Sequence, residues 1–258
     1  MTSRASANGE HVSRAQAQPI EFYDFAPSPG VCPYAQRAWL TFLELDLPYE
    51  HKLIEPSNRG EEFLSVYRTI TQDPEANGKV PTIIDGNFKL TESAVVVEYL
   101  DNKYGKPGQR LLPEDPEEHA LVKLFTELFT TLFNSVIFTV LRADTRESLA
   151  EAHKQFDKNL KKLDDYIKAN GKDDGGDYFL GSRYSYAEVL TTPFLRRAAV
   201  ILPHLKEYSP VEAAERLGLD RLSRWYKAAL ARPSSQQSGP SDEQLQNSWG
   251  KFNTPLKD

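Results

Sequence analysis

The sequence predicts an α/β domain with the element order βαβαββα, followed by an all-α domain. Over the first 104 residues, short runs of aromatic and β-branched residues alternate with segments whose apolar positions follow a helical period. Residues 105–116 then hold three prolines and two glycines. Beyond this stretch the apolar positions keep a helical spacing, without a convincing pair of strands. These observations predict two domains joined by a linker at 105–116.

The first domain, residues 19–104, is predicted to contain the following elements in order: a strand at 20–26, a helix at 33–45, a strand at 49–54, a helix at 61–68, strands at 80–84 and 88–90, and a helix at 93–104. Pro33 favours a helix start, because the first helical position does not need the N–H group that proline lacks. Asp85-Gly86-Asn87 indicates a tight hairpin turn between the last two strands.

The second domain, residues 117–232, is predicted to be helical throughout. A long amphipathic helix is indicated by apolar residues at helical spacing: Leu121, Leu124, Phe125, Leu128, Phe129, Leu132 and Phe133. Further helices are predicted at 150–167 and 221–231, and Ser185-Tyr186-Ala187-Glu188 matches the capping box of another. The Ser, Gln and Pro content of residues 233–258 predicts a polar tail with a short helix near Leu245.

Composition and charge narrow the possible partners. The chain has 258 residues, of which 40% are hydrophobic and 26% are charged, as in ordinary globular proteins. Its 31 basic and 37 acidic residues give a net charge of −6, which argues against a nucleic acid or an anionic membrane surface as partner. No run approaches the ~18 consecutive apolar residues of a membrane helix. We therefore expect no nucleic acid and no membrane partner.

The cysteine and histidine content argues against a metal site. One cysteine forms neither an intramolecular disulfide nor a cysteine-based zinc cluster, and the five histidines are scattered. The polar segment 1–18 lacks the apolar core of a secretory signal and is predicted to be a disordered leader. We therefore expect a cytoplasmic protein without a metal ion.

Cys32-Pro33-Tyr34-Ala35 stands at the predicted junction between a loop and a helix. A thiol at a helix N-terminus lies beside unpaired N–H groups and the positive end of the helix dipole, which favour the thiolate and so lower the pKa. A thiolate at neutral pH is a nucleophile. The alternative is a buried cysteine that acts as a small hydrophobic side chain. The position alone leaves both possibilities open.

Two further motifs lie near strand and helix ends. Val80-Pro81 is compatible with a cis peptide bond that turns the backbone toward a ligand, or with an ordinary edge-strand proline. Ser93 could simply cap the helix that follows. Alternatively, its hydroxyl and the free N–H groups would bind a carboxylate, while Glu92 would face an α-amino group.

The segment around Cys32 resembles the active-site motif of the thioredoxin superfamily, with Ala35 in place of the second cysteine. The chain has no other thiol, so a resolving thiol must come from outside, and glutathione is the obvious cytosolic source. The order Cys-Pro-Tyr-Ala-Gln-Arg, Val-Pro, Glu-Ser, linker and helical domain resembles glutathione transferases of the omega and lambda classes over residues 20–230. The resemblance implies a thioredoxin-like first domain.

The resemblance also implies a glutathione site, whose residues would be Cys32, Tyr34, Arg59, Val80, Pro81, Glu92 and Ser93. Cys32 matches the catalytic cysteine, and Val80 the residue whose backbone pairs with the cysteinyl group of glutathione. Glu92 and Ser93 match the γ-glutamyl site, and Arg59 lies where a basic residue contacts the glycine end. The sequence departs from the family pattern in two places: it has a longer loop at 71–79 and a low-complexity stretch at 234–240.

The implied function is a glutathione-dependent thiol transferase, with glutathione as co-substrate. Deglutathionylation and dehydroascorbate reduction both fit a single cysteine that forms a mixed disulfide. The second substrate would be a small hydrophobic or disulfide-containing molecule in a pocket lined by Phe125, Phe129 and Phe133, and the family implies a homodimer. One alternative is a non-catalytic module similar to intracellular chloride channel proteins. Another is a conjugating transferase that uses the hydroxyl of Tyr23 or Ser28.

Overall fold

The computed structural model describes residues 19–257, so the leader predicted at 1–18 lies outside the described residues. The first domain has the predicted order βαβαββα, with these elements: β1 Ile20–Phe25, α1 Pro33–Glu44, β2 Tyr49–Ile54, α2 Glu61–Thr71, β3 Thr82–Asp85, β4 Phe88–Thr91 and α3 Ser93–Tyr104. The predicted fold class of this domain is confirmed.

The four strands form one mixed sheet in the order β2-β1-β3-β4. β1 and β2 are parallel and are connected through α1, whereas β3 is antiparallel to both of its neighbours. Tyr23 near the end of β1 pairs with Thr82 at the start of β3. The loop that follows β1, which carries Cys32, therefore lies beside the Val80-Pro81 segment that enters β3.

The second domain is helical, with these elements: α4 Pro116–Phe129, α5 Ser135–Arg142, α6 Arg146–Asn170, α7 Tyr186–Lys206, α8 Pro210–Arg216, α9 Asp220–Ala231, α10 Pro233–Ser238 and α11 Asp242–Trp249. A π-helical turn, Thr130–Asn134, joins α4 to α5. Such a turn displaces backbone groups from the regular hydrogen-bond ladder. The carbonyl of Leu132 in this turn accepts a hydrogen bond of 2.8 Å from Asn159 on α6, which keeps that carbonyl satisfied.

The continuous helix Pro116–Arg142 has 27 residues and a mean hydropathy of 1.6 over its most apolar window. By length and composition alone it could cross a membrane, contrary to the expectation that the chain has no such segment. Half of that window is buried within the fold, and the helix carries buried aromatic residues of the helical core. Burial of one apolar face in a protein core is sufficient to explain this composition.

The capping box predicted at the start of α7 is confirmed. The Ser185 hydroxyl accepts a hydrogen bond from the N–H group of Ala187, and the Glu188 carboxylate accepts one from the N–H group of Ser185. Glu188 is fully buried and also accepts hydrogen bonds from the Phe179 N–H group at 2.7 Å and from Trp225 Nε1 at 2.9 Å. One carboxylate thus joins the start of α7 to the preceding loop and to α9.

The segment after residue 232 contains the short helix expected near Leu245, but it is packed on the fold rather than being only a polar tail. It forms α10, α11 and a 3₁₀ turn, Gly250–Phe252, and its Leu245 and Trp249 are buried. The Ser234 hydroxyl donates to Glu44 of α1, whose carboxylate also accepts two hydrogen bonds from Arg232, of 2.9 and 2.6 Å. A polar composition predicted exposure, but these polar groups find hydrogen-bond partners in the first domain and can therefore be buried.

We expect Leu245→Ala to lower the free energy of unfolding by about 2–5 kcal/mol, because Leu245 is fully buried and its truncation leaves a cavity. Urea denaturation followed by circular dichroism measures the loss. Leu217→Ala is the matched control, because this leucine is 38% exposed and its truncation should cost less than about 1 kcal/mol. Equal effects of the two substitutions would contradict the packed position of α11.

Candidate active site

Cys32 is the N-cap residue of α1, and its side chain makes no capping hydrogen bond. It follows the loop that leaves β1, and Pro33 occupies the first helical turn as predicted. The Sγ atom lies 4.0 Å from the carbonyl oxygen of Val80. The helix start and the parallel crossover therefore bring the one thiol of the chain to the edge of the sheet.

A cavity of about 620 Å³ opens beside this thiol. Its walls contain Cys32, Tyr34, Arg59 and Val80, four of the residues implied by the family resemblance. The remaining wall is formed by Phe25, by α2 and by the loop that follows it: Tyr67, Thr71, Asp73, Glu75, Ala76, Asn77, Gly78 and Lys79. The loop at 71–79, which is longer than in the family pattern, therefore forms part of the cavity at the thiol.

The Val80-Pro81 peptide bond is cis, in agreement with the first of the two possibilities considered for this proline. The Pro81 carbonyl accepts a hydrogen bond of 3.0 Å from the Thr91 hydroxyl, which joins the start of β3 to the end of β4. Glu92 and Ser93 follow directly on Thr91. The sheet thus brings the Val-Pro and Glu-Ser motifs, which are separate in the sequence, to the same edge.

Glu92 has a φ of 70°, a left-handed conformation that is unusual for a residue other than glycine. Its side chain is exposed, and it is the N-cap residue of α3 without a side-chain capping bond. Ser93 does not cap the helix either. Instead its buried hydroxyl accepts a hydrogen bond of 3.2 Å from Arg37 on α1, the helix that carries Cys32.

Arg59 holds the loop that forms the cavity wall. Its guanidinium donates to the carbonyl of Asn77, and to that of Gly78 at 2.6 Å, and it lies 5.5 Å from the centre of the Phe25 ring. Arg59 is thus at the cavity, as the resemblance implied, and part of its hydrogen-bonding capacity is used by the protein backbone.

Burial raises the pKa of the Cys32 thiol above its ordinary value. The Asp24 carboxylate also raises it, whereas the N–H groups of Ala35 and Tyr34 and the guanidinium of Arg197 lower it. The helix N-terminus favours the thiolate, and the sequence left a buried thiol open as the alternative. The direction of this pKa shift agrees with the buried environment, because the cost of desolvating the thiolate exceeds the favourable effect of the helix start.

The three phenylalanines predicted to line a second-substrate pocket do not lie at this cavity. Phe125, Phe129 and Phe133 are at most 1% exposed and stack within the helical domain. The Phe125 ring, for example, lies 4.8 Å from that of Phe179 and 5.2 Å from that of Trp225. Their helical spacing therefore indicates the core of the second domain rather than a ligand surface.

The two hydroxyl groups considered for conjugation are engaged elsewhere. Tyr23 donates to Glu21 at 3.1 Å, and burial raises the pKa of its phenol, with a further contribution from that carboxylate. Ser28 accepts a hydrogen bond of 3.1 Å from Gln244 of α11. Neither residue lines the cavity at Cys32.

Sequence reasoning assigned no role to three buried charged residues near Cys32. Arg37 is 8% exposed, lies about 5 Å from the rings of Tyr34 and Phe194, and donates to Ser93. Asp24 and Arg197 are fully buried. The sequence signal that could have identified Asp24 and Arg197 is a charged residue among apolar neighbours, Asp24 in the strand Ile20–Phe25 and Arg197 in the helix Tyr186–Lys206.

Among residues 19–257 no group of three or more His, Cys, Asp or Glu side chains is placed to hold a metal ion.

Comparison with known proteins agrees with this geometry. Residues 30–108 match the family described as "Glutathione S-transferase, N-terminal domain", and residues 146–228 match "Glutathione S-transferase, C-terminal domain". The chain is 28% identical to the glutathione S-transferase-like protein OpS6 of Beauveria bassiana, over 85% of this chain and 94% of that protein. It is also 28% identical to probable glutathione S-transferase DHAR1, cytosolic, of Oryza sativa subsp. japonica, over 85% and 89%.

An omega-class relative and a solved structure extend the comparison. The chain is 27% identical to glutathione S-transferase omega-1 of Sus scrofa, over 79% of this chain and 75% of that protein. The crystal structure of glutathione transferase Omega 3C from Trametes versicolor superposes with a TM-score of 0.71 at 24% identity, over 87% and 90% of the two chains. The two matched domains, their order and these relatives show that the chain belongs to the glutathione transferase family.

Proposed function

We propose that this chain is a glutathione-dependent thiol transferase in which Cys32 is the nucleophile. The observation that carries the proposal is the position of the one thiol of the chain, at the start of α1 and in the wall of a cavity of about 620 Å³. Tyr34, Arg59 and Val80 share that cavity. We assign the γ-glutamyl end of glutathione to Glu92 and Ser93 at the start of α3, whose free N–H groups suit a carboxylate.

The reaction is thiol–disulfide exchange in two steps. The Cys32 thiolate attacks the glutathionyl sulfur of a mixed disulfide, so that a Cys32–glutathione disulfide forms and the other thiolate leaves. A glutathione thiolate then attacks the glutathionyl sulfur on Cys32, which releases oxidised glutathione and the Cys32 thiolate. Since the chain has no second cysteine, glutathione supplies the resolving thiol. Reduction of dehydroascorbate by two glutathione molecules uses the same residue.

Arg37 supports the proposed γ-glutamyl site. Its guanidinium donates to the Ser93 oxygen, so the hydroxyl hydrogen of Ser93 remains available to donate to a ligand carboxylate. The same guanidinium donates at 2.9 Å to the carbonyl of Leu190 on α7. Glutathione binding is thereby linked to the position of the helical domain.

The proposal includes a cytoplasmic homodimer. One of the relatives is named as cytosolic. Three large apolar side chains on β4, α3 and α4 are about half exposed: Phe88, Val95 and Leu124, at 47%, 51% and 49%. If the second subunit covers these side chains, they would become buried in the dimer.

The test is the intact mass of the protein after incubation with oxidised glutathione. We expect one glutathione adduct on the wild type, its removal by reduced glutathione, and no adduct on Cys32→Ala. Because Cys32 is the only cysteine, the position of the adduct needs no further mapping. A folded wild-type protein that takes up no adduct would refute the exchange cycle and favour the non-catalytic module.

A further inference from the structure

Gly30, two residues before Cys32, is held by two buried charged side chains of opposite sign. Its N–H group donates to Asp24 Oδ2 at 2.8 Å, and its carbonyl accepts from Arg197 Nη2 at 2.5 Å. Asp24 lies on β1 in the first domain and Arg197 on α7 in the second, and both are fully buried. The segment that leads into the nucleophile is thus fixed from both domains.

Arg197 makes further contacts with the same segment. Nη2 also donates to the Val31 carbonyl at 2.7 Å, and Nη1 donates to Gln36 Oε1 at 2.8 Å and to the Pro193 carbonyl at 2.5 Å. Two consecutive carbonyls before Cys32 therefore share one guanidinium group. A planar fork of donors suits this arrangement, and the single ammonium of a lysine does not reproduce it.

The C-terminal segment encloses Gly30 on a third side. Gly30 has a φ of +76°, and a Cβ atom added to it would lie 2.3 Å from the Ser238 carbonyl oxygen of α10. The Ser238 hydroxyl accepts a hydrogen bond of 3.3 Å from Gln36, which also contacts Arg197. Only glycine fits this position, so the loop has little freedom to move.

The two charges act on the thiol in opposite directions. The Asp24 carboxylate raises the pKa of Cys32 and the Arg197 guanidinium lowers it. Burial lowers the pKa of Arg197, but a guanidinium starts from so high a value that it keeps its charge at neutral pH. The other charged or titratable groups that act on this pair are Arg37 on α1, Arg196 on α7, and His51 on β2, whose Nε2 lies 3.5 Å from Asp24 Oδ2.

We propose that Asp24 and Arg197 are positioning residues that together set the reactivity of Cys32, because groups of opposite charge hold the Gly30-Val31 segment, which leads into Cys32, from opposite sides. The inference rests on the proposed role of Cys32 as the nucleophile. The Asp24 carboxylate of the first domain and the Arg197 guanidinium of the second domain then determine how readily the thiol reacts. In this view the helical domain contributes directly to the thiol site of the first domain.

The experiment is alkylation of Cys32 by iodoacetamide between about pH 6 and pH 9, followed by intact mass. Iodoacetamide needs no glutathione and the chain has one thiol, so the rate reports Cys32 alone. At pH 7 we expect Arg197→Met to be alkylated roughly five- to tenfold more slowly than wild type, and Asp24→Asn roughly threefold faster. The pH midpoint of the rate should move upward in the first variant and downward in the second.

The two substitutions are expected to change the alkylation rate in opposite directions, which distinguishes this proposal from simple loosening of the loop. If the two residues only maintained the fold, both substitutions would expose the thiol and change the rate in the same direction, which would overturn the proposal. Arg224→Met is the matched control, because it removes the same charge from an exposed arginine paired with Asp177. The control should be alkylated at the wild-type rate. Repeating the series in a His51→Gln background removes the imidazole beside Asp24 from the comparison.

A second substitution at position 197 keeps the test decisive if Arg197→Met does not fold. Arg197→Lys loses the fork of donors to Gly30 and Val31 but retains the positive charge, so the pH midpoint of its alkylation rate should stay near that of wild type and its rate at pH 7 should fall by less than about threefold. A tenfold fall in Arg197→Lys would overturn the role of the charge. A wild-type thiol that resists iodoacetamide across the whole pH range, in a folded protein, would instead refute the proposed nucleophile and with it this inference.

Discussion

Replacing Cys32 by serine is expected to reduce turnover in a thiol-transfer assay at least about a thousandfold. A serine hydroxyl remains protonated at neutral pH and forms no disulfide, so the mixed disulfide with glutathione does not form. The assay is the reduction of a mixed disulfide between glutathione and a small thiol, with glutathione reductase reporting the oxidised glutathione released. Binding of glutathione should change little, because the other proposed contacts are unaltered.

The same substitution distinguishes the two kinds of transferase. A serine hydroxyl at position 32 is placed to donate a hydrogen bond to a glutathione thiolate, so conjugation to an aromatic electrophile should be retained or increased in Cys32→Ser. Cys32→Ala, which lacks a donor, serves as the control for that activity. Wild-type thiol-transfer activity in Cys32→Ser would exclude Cys32 as the nucleophile.

Replacing Glu188 by alanine is expected to lower the free energy of unfolding by about 3–5 kcal/mol. The carboxylate accepts hydrogen bonds from the N–H groups of Phe179 and Ser185, from the Ser185 hydroxyl and from Trp225 Nε1, and its removal leaves these four buried donors without that acceptor. Urea denaturation of wild type and variant measures the difference. Glu147→Ala is the matched control, because Glu147 also lies in the first turn of a helix but is exposed. Its effect should be within about 0.5 kcal/mol.

The stability contributed by Glu188 also depends on pH. Burial raises the pKa of this carboxyl group above that of an unfolded glutamate, and the hydrogen bonds it accepts lower it only in part. Protonation therefore favours the folded state, and this contribution is present at low pH and is lost as the pH rises through the folded-state pKa. The difference in unfolding free energy between wild type and Glu188→Gln should thus be larger near pH 5 than at pH 7. A difference that shrinks on acidification would contradict the raised pKa.

Several elements of both domains were predictable because they carry a local signal. In the first domain Pro33 marks a helix start and Asp85-Gly86-Asn87 marks a hairpin, and in the second domain Ser185 with Glu188 marks a helix cap. Such signals act over a few residues, so the packing of distant elements does not alter them. For Val80-Pro81 the local pattern left a cis bond and an ordinary edge-strand proline both open, and the structure has the cis bond.

Other features depended on contacts between distant residues. A serine- and glutamine-rich segment suggested an exposed tail, yet α10 and α11 pack on α1 and α7, and Gln36, Glu44 and Arg197 meet them there. The helical spacing of Phe125, Phe129 and Phe133 identified one face of a helix. It did not show whether that face meets a core or a cavity, since both are apolar.

The two-domain fold class and the one residue able to act as a thiol nucleophile could be read from the sequence, because a single cysteine at a helix start leaves no other thiol. The environment of that thiol, in contrast, depends on the folded chain. Burial raises its pKa, and Asp24 and Arg197 reach it from elements 8 and 165 residues away in the chain, respectively. Desolvation and buried charge depend on which groups surround a site in space, and these are properties that no local pattern of residues contains.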